Sequence, residues 1–172
     1  MKTRLKLIVM DVDGTMTDSG IYYDIQGNEL KRFSTRDAAG IFAARAAGIK
    51  TMVLTGRECP ATTRRMNELS LDYVFQGVKD KYSFLKTFLE ENNYNKDEVG
   101  YIGDDLNDIA PMKLCGFKGC PADSCHEVTE IADYVSILNG GHGAIRDVVE
   151  HILTEYGEWE KTVRMLYGCK EE

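Results

Sequence analysis

The sequence predicts an α/β fold: a doubly wound parallel sheet, Rossmann-like, with an inserted β-hairpin. Two observations carry this. Short apolar runs of strand length alternate with segments of helical period, which calls for parallel strands joined by right-handed crossovers with helices on both faces. Acidic and hydroxyl residues gather directly after those runs, at the strand ends where ligands sit in such folds.

The elements follow in order. Leu5 to Met10 is an apolar run that ends in a cluster of Asp and Gly, as a buried strand feeding a loop should. Residues 20–24 and 29–33 carry aromatic and β-branched side chains on either side of Ile25-Gln26-Gly27-Asn28, predicting a hairpin inserted at about 20–34. Asp37 is placed to cap a helix running to Ala47, with Gly48 ending it, and Lys50 to Leu54 reads as the next buried strand. A helix is expected from Pro60 to Leu69, a strand over Asp72 to Phe75, and a helix over Asp80 to Asn92, where Tyr82, Leu85, Phe88 and Leu89 share a face. Val99 to Ile102 is a further strand, Asp105 to Cys115 a helix, and Ala144 to Tyr156 a final amphipathic helix after the glycines at 140, 141 and 143.

Composition narrows the function classes. The 172 residues fit a single domain over 1–172, and 43% hydrophobic with 28% charged residues is a globular balance. No apolar run approaches the ~18 residues of a membrane span. The N-terminal apolar stretch runs straight into Asp11 and lacks a small-residue cleavage site, so it reads as a strand and not a leader. A formal net charge of -7 argues against nucleic acid as a partner, because such binding draws on basic patches. Five cysteines, an odd number, argue against a disulfide framework and for a cytoplasmic setting. Cys115, Cys120 and Cys125 lack a CxxC pair, which favours reduced, partly buried thiols over a metal cluster.

The strand ends hold the parts needed for phosphoryl transfer. Asp11 and Asp13 follow the first strand, Thr55 and Gly56 the second, and Asp104, Asp105 and Asp108 follow Ile102, while Lys81 opens the helix after Phe75. In Asp11-Val12-Asp13-Gly14-Thr15 two carboxylates lie two residues apart, one suited to nucleophilic attack and the other to proton transfer. The competing reading is an acidic loop with an Asx turn. Carboxylates near Asp104 match the oxygen-only demands of Mg²⁺, although Asp105 could instead be the N-cap of the following helix and Asp108 could add charge to its first turn. Thr55, Gly56 and Lys81 together could hold non-bridging phosphate oxygens.

These elements, in this order, resemble the haloacid dehalogenase superfamily. The resemblance implies Asp11 as nucleophile and metal ligand, Asp13 as acid/base and main-chain metal ligand, and Asp104 as the third ligand of Mg²⁺. It also implies that Thr55, Gly56, Lys81 and Asn107 bind phosphate, and that Asp105 and Asp108 support the metal site or Lys81. More of the chain resembles the 3-deoxy-D-manno-octulosonate 8-phosphate (KDO 8-phosphate) phosphatases: the early hairpin, Phe33-Ser34-Thr35-Arg36-Asp37, Leu54-Thr55-Gly56-Arg57, Phe75-Gln76-Gly77, Tyr101 to Asp108, and Gly140 to Arg146. That branch implies a phosphorylated sugar-acid substrate and a homotetramer in which neighbouring subunits close a capless site. Tyr22, Tyr23 and Phe33 are then expected as interface anchors. His142 departs from the branch, where arginine is frequent at that position.

Arg57 and Arg65 are the candidates for gripping a substrate carboxylate with a planar fork. Arg57 favours the eight-carbon sugar over the nine-carbon keto-deoxy analogue, whose phosphatases resemble one another in carrying Glu there. Two other classes compete. A phosphoacceptor receiver domain would place its aspartate after a middle strand, where this chain has Thr55 and where the hairpin has no counterpart. A non-catalytic tetramerising module of sugar-nucleotide biosynthesis would have no need of Asp11, Asp13, Lys81 and Asp104 together.

Overall fold

The computed structural model describes residues 3–168. Cys169 and the charged ending Lys170-Glu171-Glu172 lie outside them. Six strands form one parallel sheet: β1 (Leu7–Met10), β4 (Lys50–Leu54), β5 (Tyr73–Phe75), β6 (Val99–Ile102), β7 (Phe117–Cys120) and β8 (Tyr134–Val135), in the order β5-β4-β1-β6-β7-β8. Strand β1 lies between β4 and β6, with Met10 opposite both Val53 and Ile102. The chain runs outward in opposite directions from this point, so the crevice above β1 is the topological switch point of the sheet.

Helices cover both faces. Helices α1 (Thr35–Ala46), α2 (Pro60–Leu69) and α6 (Ala144–Glu155) give side chains to one core, with Ile8, Met10 and Ile102 from the sheet. Helices α3 (Lys81–Glu91), α4 (Leu106–Met112) and α5 (His126–Ile131) build the other with Leu7, Val9 and Tyr101. Successive side chains of β1 therefore enter opposite cores, which is why the strand is apolar at every position instead of alternating.

The hairpin pairs β2 (Tyr22–Tyr23) with β3 (Glu29–Leu30) as a separate two-stranded ribbon. Its turn is held by Asp24 Oδ1, which accepts from the amides of Gln26 at 2.9 Å and Asn28 at 2.8 Å. Tyr22 and Tyr23 are exposed, and Phe33 is half-buried against the chain's own core.

Some expectations change. Helix α1 is capped by Ser34, whose hydroxyl accepts from Arg36 N, and Asp37 lies inside the helix and buried. Asp37 Oδ1 instead accepts from Arg146 N at 3.3 Å, supplying the cap that Gly143 cannot give α6. Helix α4 stops at Met112, short of Cys115, with Pro111 inside its last turn. Strands β7 and β8, helix α5 and a C-terminal helix α7 (Trp159–Tyr167) were not anticipated. The first three are short, and Gly119 and Lys118 interrupt the apolar run of β7. Among the described residues no helix is long and apolar enough to cross a membrane.

Candidate active site

The crevice above β1 gathers side chains from four strand ends. Asp11, next after β1, is 4% exposed, and its Oδ1 accepts from Lys81 Nζ at 2.7 Å. The same ammonium donates to Asp108 Oδ1 at 2.7 Å. Lys81 is delivered by the first turn of α3, which Asp80 caps through Ser83 N. Burial disfavours its charge, yet the two carboxylates outweigh that and raise its pKa above the ordinary lysine value.

Asp108 has its acceptor sites committed. Besides Lys81, Oδ1 takes the Tyr101 hydroxyl at 2.8 Å, and Oδ2 takes the Asp104 amide at 3.0 Å and the Asp105 amide at 3.4 Å. Asp105 is the N-cap of α4 and exposed, and Asn107 is exposed in the first helical turn. Oxygen atoms of Asp11, Asp104 and Asp108 lie within 4.8 Å of one another. Because Asp108 already accepts four hydrogen bonds, Asp11 and Asp104 are the side chains with acceptor capacity left for a cation.

Asp104 is aimed by Thr15, whose hydroxyl donates to Oδ1 at 2.6 Å. The two loops approach so closely that a Cβ at Gly14 would lie 2.0 Å from Asp104 Oδ2, and Gly14 has a φ of +93°. Glycine is required there on both counts. The loop Gly140–Gly143 closes the other side, and a Cβ at Gly140 would lie 1.8 Å from Gly14 O.

The acidic cluster is electrostatically unbalanced. Burial and the Asp108 carboxylate push Asp11 up to about 7 against the pull of Lys81. Burial pushes Asp104 up to about 8, with Asp11, Asp108 and Asp105 adding to it and the Thr15 hydrogen bond opposing. A hard dication suits these oxygen donors, whose shortage is of positive charge, so the residues fit Mg²⁺.

Asp13 points elsewhere. Its carboxylate pairs with Lys31 Nζ from the hairpin, and Lys31 also pairs with Glu29 at 2.9 Å. Glu29 in turn holds Arg57 at 2.6 Å. Arg57 lowers the pKa of Glu29 and Lys31 lowers it further, with burial opposing. Thr55 is buried at the end of β4, its hydroxyl accepting from Arg57 N at 3.4 Å, and Gly56 O accepts from Lys79 Nζ at 2.6 Å. Arg65 gives its guanidinium to Ser34 O at 3.3 Å and to Glu68 at 3.2 Å, so its bonds run to α1 and along its own helix. His142 Nδ1 lies 2.8 Å from Gly140 O and Nε2 3.0 Å from Arg32.

Asp11, Lys81, Asp104 and Asp108 thus come together, while Asp13, two residues from Asp11, pairs with the hairpin. Sequence reasoning missed Lys31, Glu29 and Tyr101. The first two look like the solvated charges of a hairpin, and Tyr101 like an apolar strand residue. The available signal was the Glu29-Leu30-Lys31 alternation, which puts both charges on one face of the ribbon.

The family described as haloacid dehalogenase-like hydrolase matches residues 71–147. The 3-deoxy-D-manno-octulosonate 8-phosphate phosphatase of Escherichia coli K12 is 33% identical over 157 residues, 91% of this chain and 84% of that one. The crystal structure of the Moraxella catarrhalis enzyme of the same name, in complex with magnesium, phosphate and KDO, aligns with a TM-score of 0.89 at 32% identity, covering 94% of this chain and 92% of that one. A cobalt-bound Haemophilus influenzae phosphatase aligns with a TM-score of 0.85 at 32% identity, covering 91% of each chain.

Proposed function

Because the chain belongs to the haloacid dehalogenase-like hydrolases and is a phosphatase, we propose that it hydrolyses KDO 8-phosphate to KDO and phosphate with Mg²⁺ through an aspartyl-phosphate on Asp11. The observation that carries this reading is the buried junction of Lys81 with Asp11 and Asp108, 2.7 Å to each, at the switch point of the sheet. Names of the relatives supply the substrate.

In the first half-reaction an Asp11 carboxylate oxygen bonds to phosphorus as the ester P–O bond breaks, and Asp13 protonates the departing alkoxide. In the second, Asp13 takes a proton from the water whose oxygen displaces Asp11. Lys81 keeps Asp11 aimed, and Thr55, the Gly56 amide and Asn107 hold non-bridging oxygens. Asp11 and Asp104 by side chain, with Asp13 by its main-chain carbonyl, would hold Mg²⁺. When bound, the ion offsets the repulsion between the Asp11 carboxylate and the phosphate dianion.

The domain spans 1–172, works in the cytoplasm and assembles as a homotetramer. Support for assembly comes from the exposed apolar residues of the hairpin, Ile21, Tyr22, Tyr23, Ile25 and Leu30, beside the crevice. The test is Mg²⁺-dependent phosphate release, with kcat/KM compared across KDO 8-phosphate, the nine-carbon keto-deoxy analogue and simple sugar phosphates. KDO 8-phosphate is expected to lead. A lead for the nine-carbon analogue transfers the assignment to that substrate, and no release from any of them leaves the non-catalytic module.

A further inference from the structure

Lys31 is a buried cation with no part in the reaction scheme above. Its side chain is 1% exposed, although it projects from a two-stranded ribbon whose apolar side chains, Tyr22, Tyr23 and Leu30 among them, are open to solvent. The ammonium is enclosed between Asp13 and Glu29, and Glu29 continues to Arg57 on the loop after β4. Four alternating charges therefore join three separate segments: the nucleophile loop, the hairpin and the Thr55 loop.

An enclosed ion pair is a poor device for stability alone, since taking both ions out of water costs as much as their attraction returns. What such a pair does supply is a fixed orientation and a fixed field. Asp13 remains 26% exposed, so its carboxylate is held by Lys31 and still reached by solvent.

We propose that Lys31 is a positioning residue for proton transfer by Asp13, holding its carboxyl group in place from the hairpin through the enclosed pairs with Asp13 and Glu29. The inference rests on the reading of Asp13 as acid and base. As the Asp13 O–H bond breaks and the alkoxide takes the proton, Lys31, itself tied to Glu29, keeps the carboxyl group from turning away. In the second step the same cation holds the carboxylate aimed at water. The hairpin thereby belongs to the acid–base apparatus as well as to the surface.

The test exploits leaving groups. An alkoxide needs a proton as it leaves, whereas p-nitrophenolate does not. Lys31→Met is expected to lower kcat/KM for KDO 8-phosphate by about 100-fold, the lower range of what a positioned acid contributes, and to cost at least about tenfold less on p-nitrophenyl phosphate. Lys31→Arg should recover part of the loss on the sugar phosphate. Lys31→Gln, which keeps a donor in the enclosed space without the charge, repeats the comparison should Lys31→Met fail to fold.

Asp13→Asn is measured alongside. Selective loss in Asp13→Asn with equal losses on both substrates in the Lys31 variants would overturn the inference and leave Lys31 a packing residue. Equal losses in Asp13→Asn itself would overturn the acid/base reading first, and the inference with it.

Discussion

Thr15 donates its hydroxyl to Asp104 Oδ1 at 2.6 Å, so the loop after β1 fixes the carboxylate that follows the neighbouring strand β6. One hydrogen bond joins the nucleophile loop to the proposed metal ligand, across 89 residues of sequence.

That bond gives the first prediction. Thr15→Val keeps shape and removes the donor, leaving Asp104 free to rotate. Supporting contacts of this kind are worth about 10- to 100-fold in metal affinity. The concentration of Mg²⁺ giving half-maximal activity should rise by that factor, with kcat at saturating Mg²⁺ much less affected; an unchanged Mg²⁺ titration would show that Thr15 does not orient the ligand.

Asp11 should show opposite effects on activity and stability. Asp11→Asn removes the nucleophile and should lower kcat by at least about 10⁴-fold. It also removes one of three crowded carboxylates, whose mutual repulsion and burial push Asp11 up to about 7. In the presence of EDTA the variant should therefore melt above the wild type, by about 2–4 °C for each kcal/mol relieved. Near-normal turnover in Asp11→Asn would sink the aspartyl-phosphate mechanism.

Metal binding should be visible without catalysis. A cation that binds the folded chain alone raises its stability, by about 2.7 kcal/mol at a hundredfold excess over Kd. Thermal melting with and without Mg²⁺ should show this rise in the wild type and lose most of it in Asp104→Asn. A rise of equal size in both proteins would place the ion elsewhere.

Asp37 links stability to pH. Burial pushes its carboxyl up to about 6, with the amides of Arg146 and Ile145 opposing, and Oδ2 has no hydrogen-bond partner. In the unfolded chain the group titrates near 3.8. Between these values the native state holds a proton that the unfolded state has lost, so this contribution to stability falls as pH rises through the window. Asp37→Asn cannot ionise and should gain on the wild type by up to about 3 kcal/mol between pH 4 and pH 7, read by urea unfolding at both values. A difference independent of pH would mean that Asp37 stays charged.

The hairpin presents Ile25 in its turn, 97% exposed, and Ile21 before β2, 51% exposed. If the ribbon is an interface, Ile21→Glu with Ile25→Glu should yield a smaller species by sedimentation and a matching loss of activity. Retention of a tetramer would move the interface to another surface.

The site was legible in sequence where its chemistry depends on strand ends. Asp11, Thr55 and Asp104 follow apolar runs, and strand ends converge in a parallel sheet whatever the details of packing. Strand β7 and helix α5 were not legible, because four residues with a glycine and six helical residues carry too little periodic signal. Asp37 looked like a cap for its own helix, since a helix start is a local pattern; its actual bond goes to α6, 109 residues away.

By itself the sequence determined the order of the elements from β1 to α4, helix α6, and which acidic groups, hydroxyl and ammonium arrive at the rim, because apolar periodicity and strand-end placement are properties of local patterning. Tertiary structure alone decided how those groups divide their partners. Asp108 spends its oxygens on Lys81, Tyr101 and two amides, Asp13 turns to Lys31, and Asp11 and Asp104 are left short of positive charge. The physical reason is that hydrogen bonds and charge balance act over about 3 Å between segments tens of residues apart, and depend on how much water each group has lost.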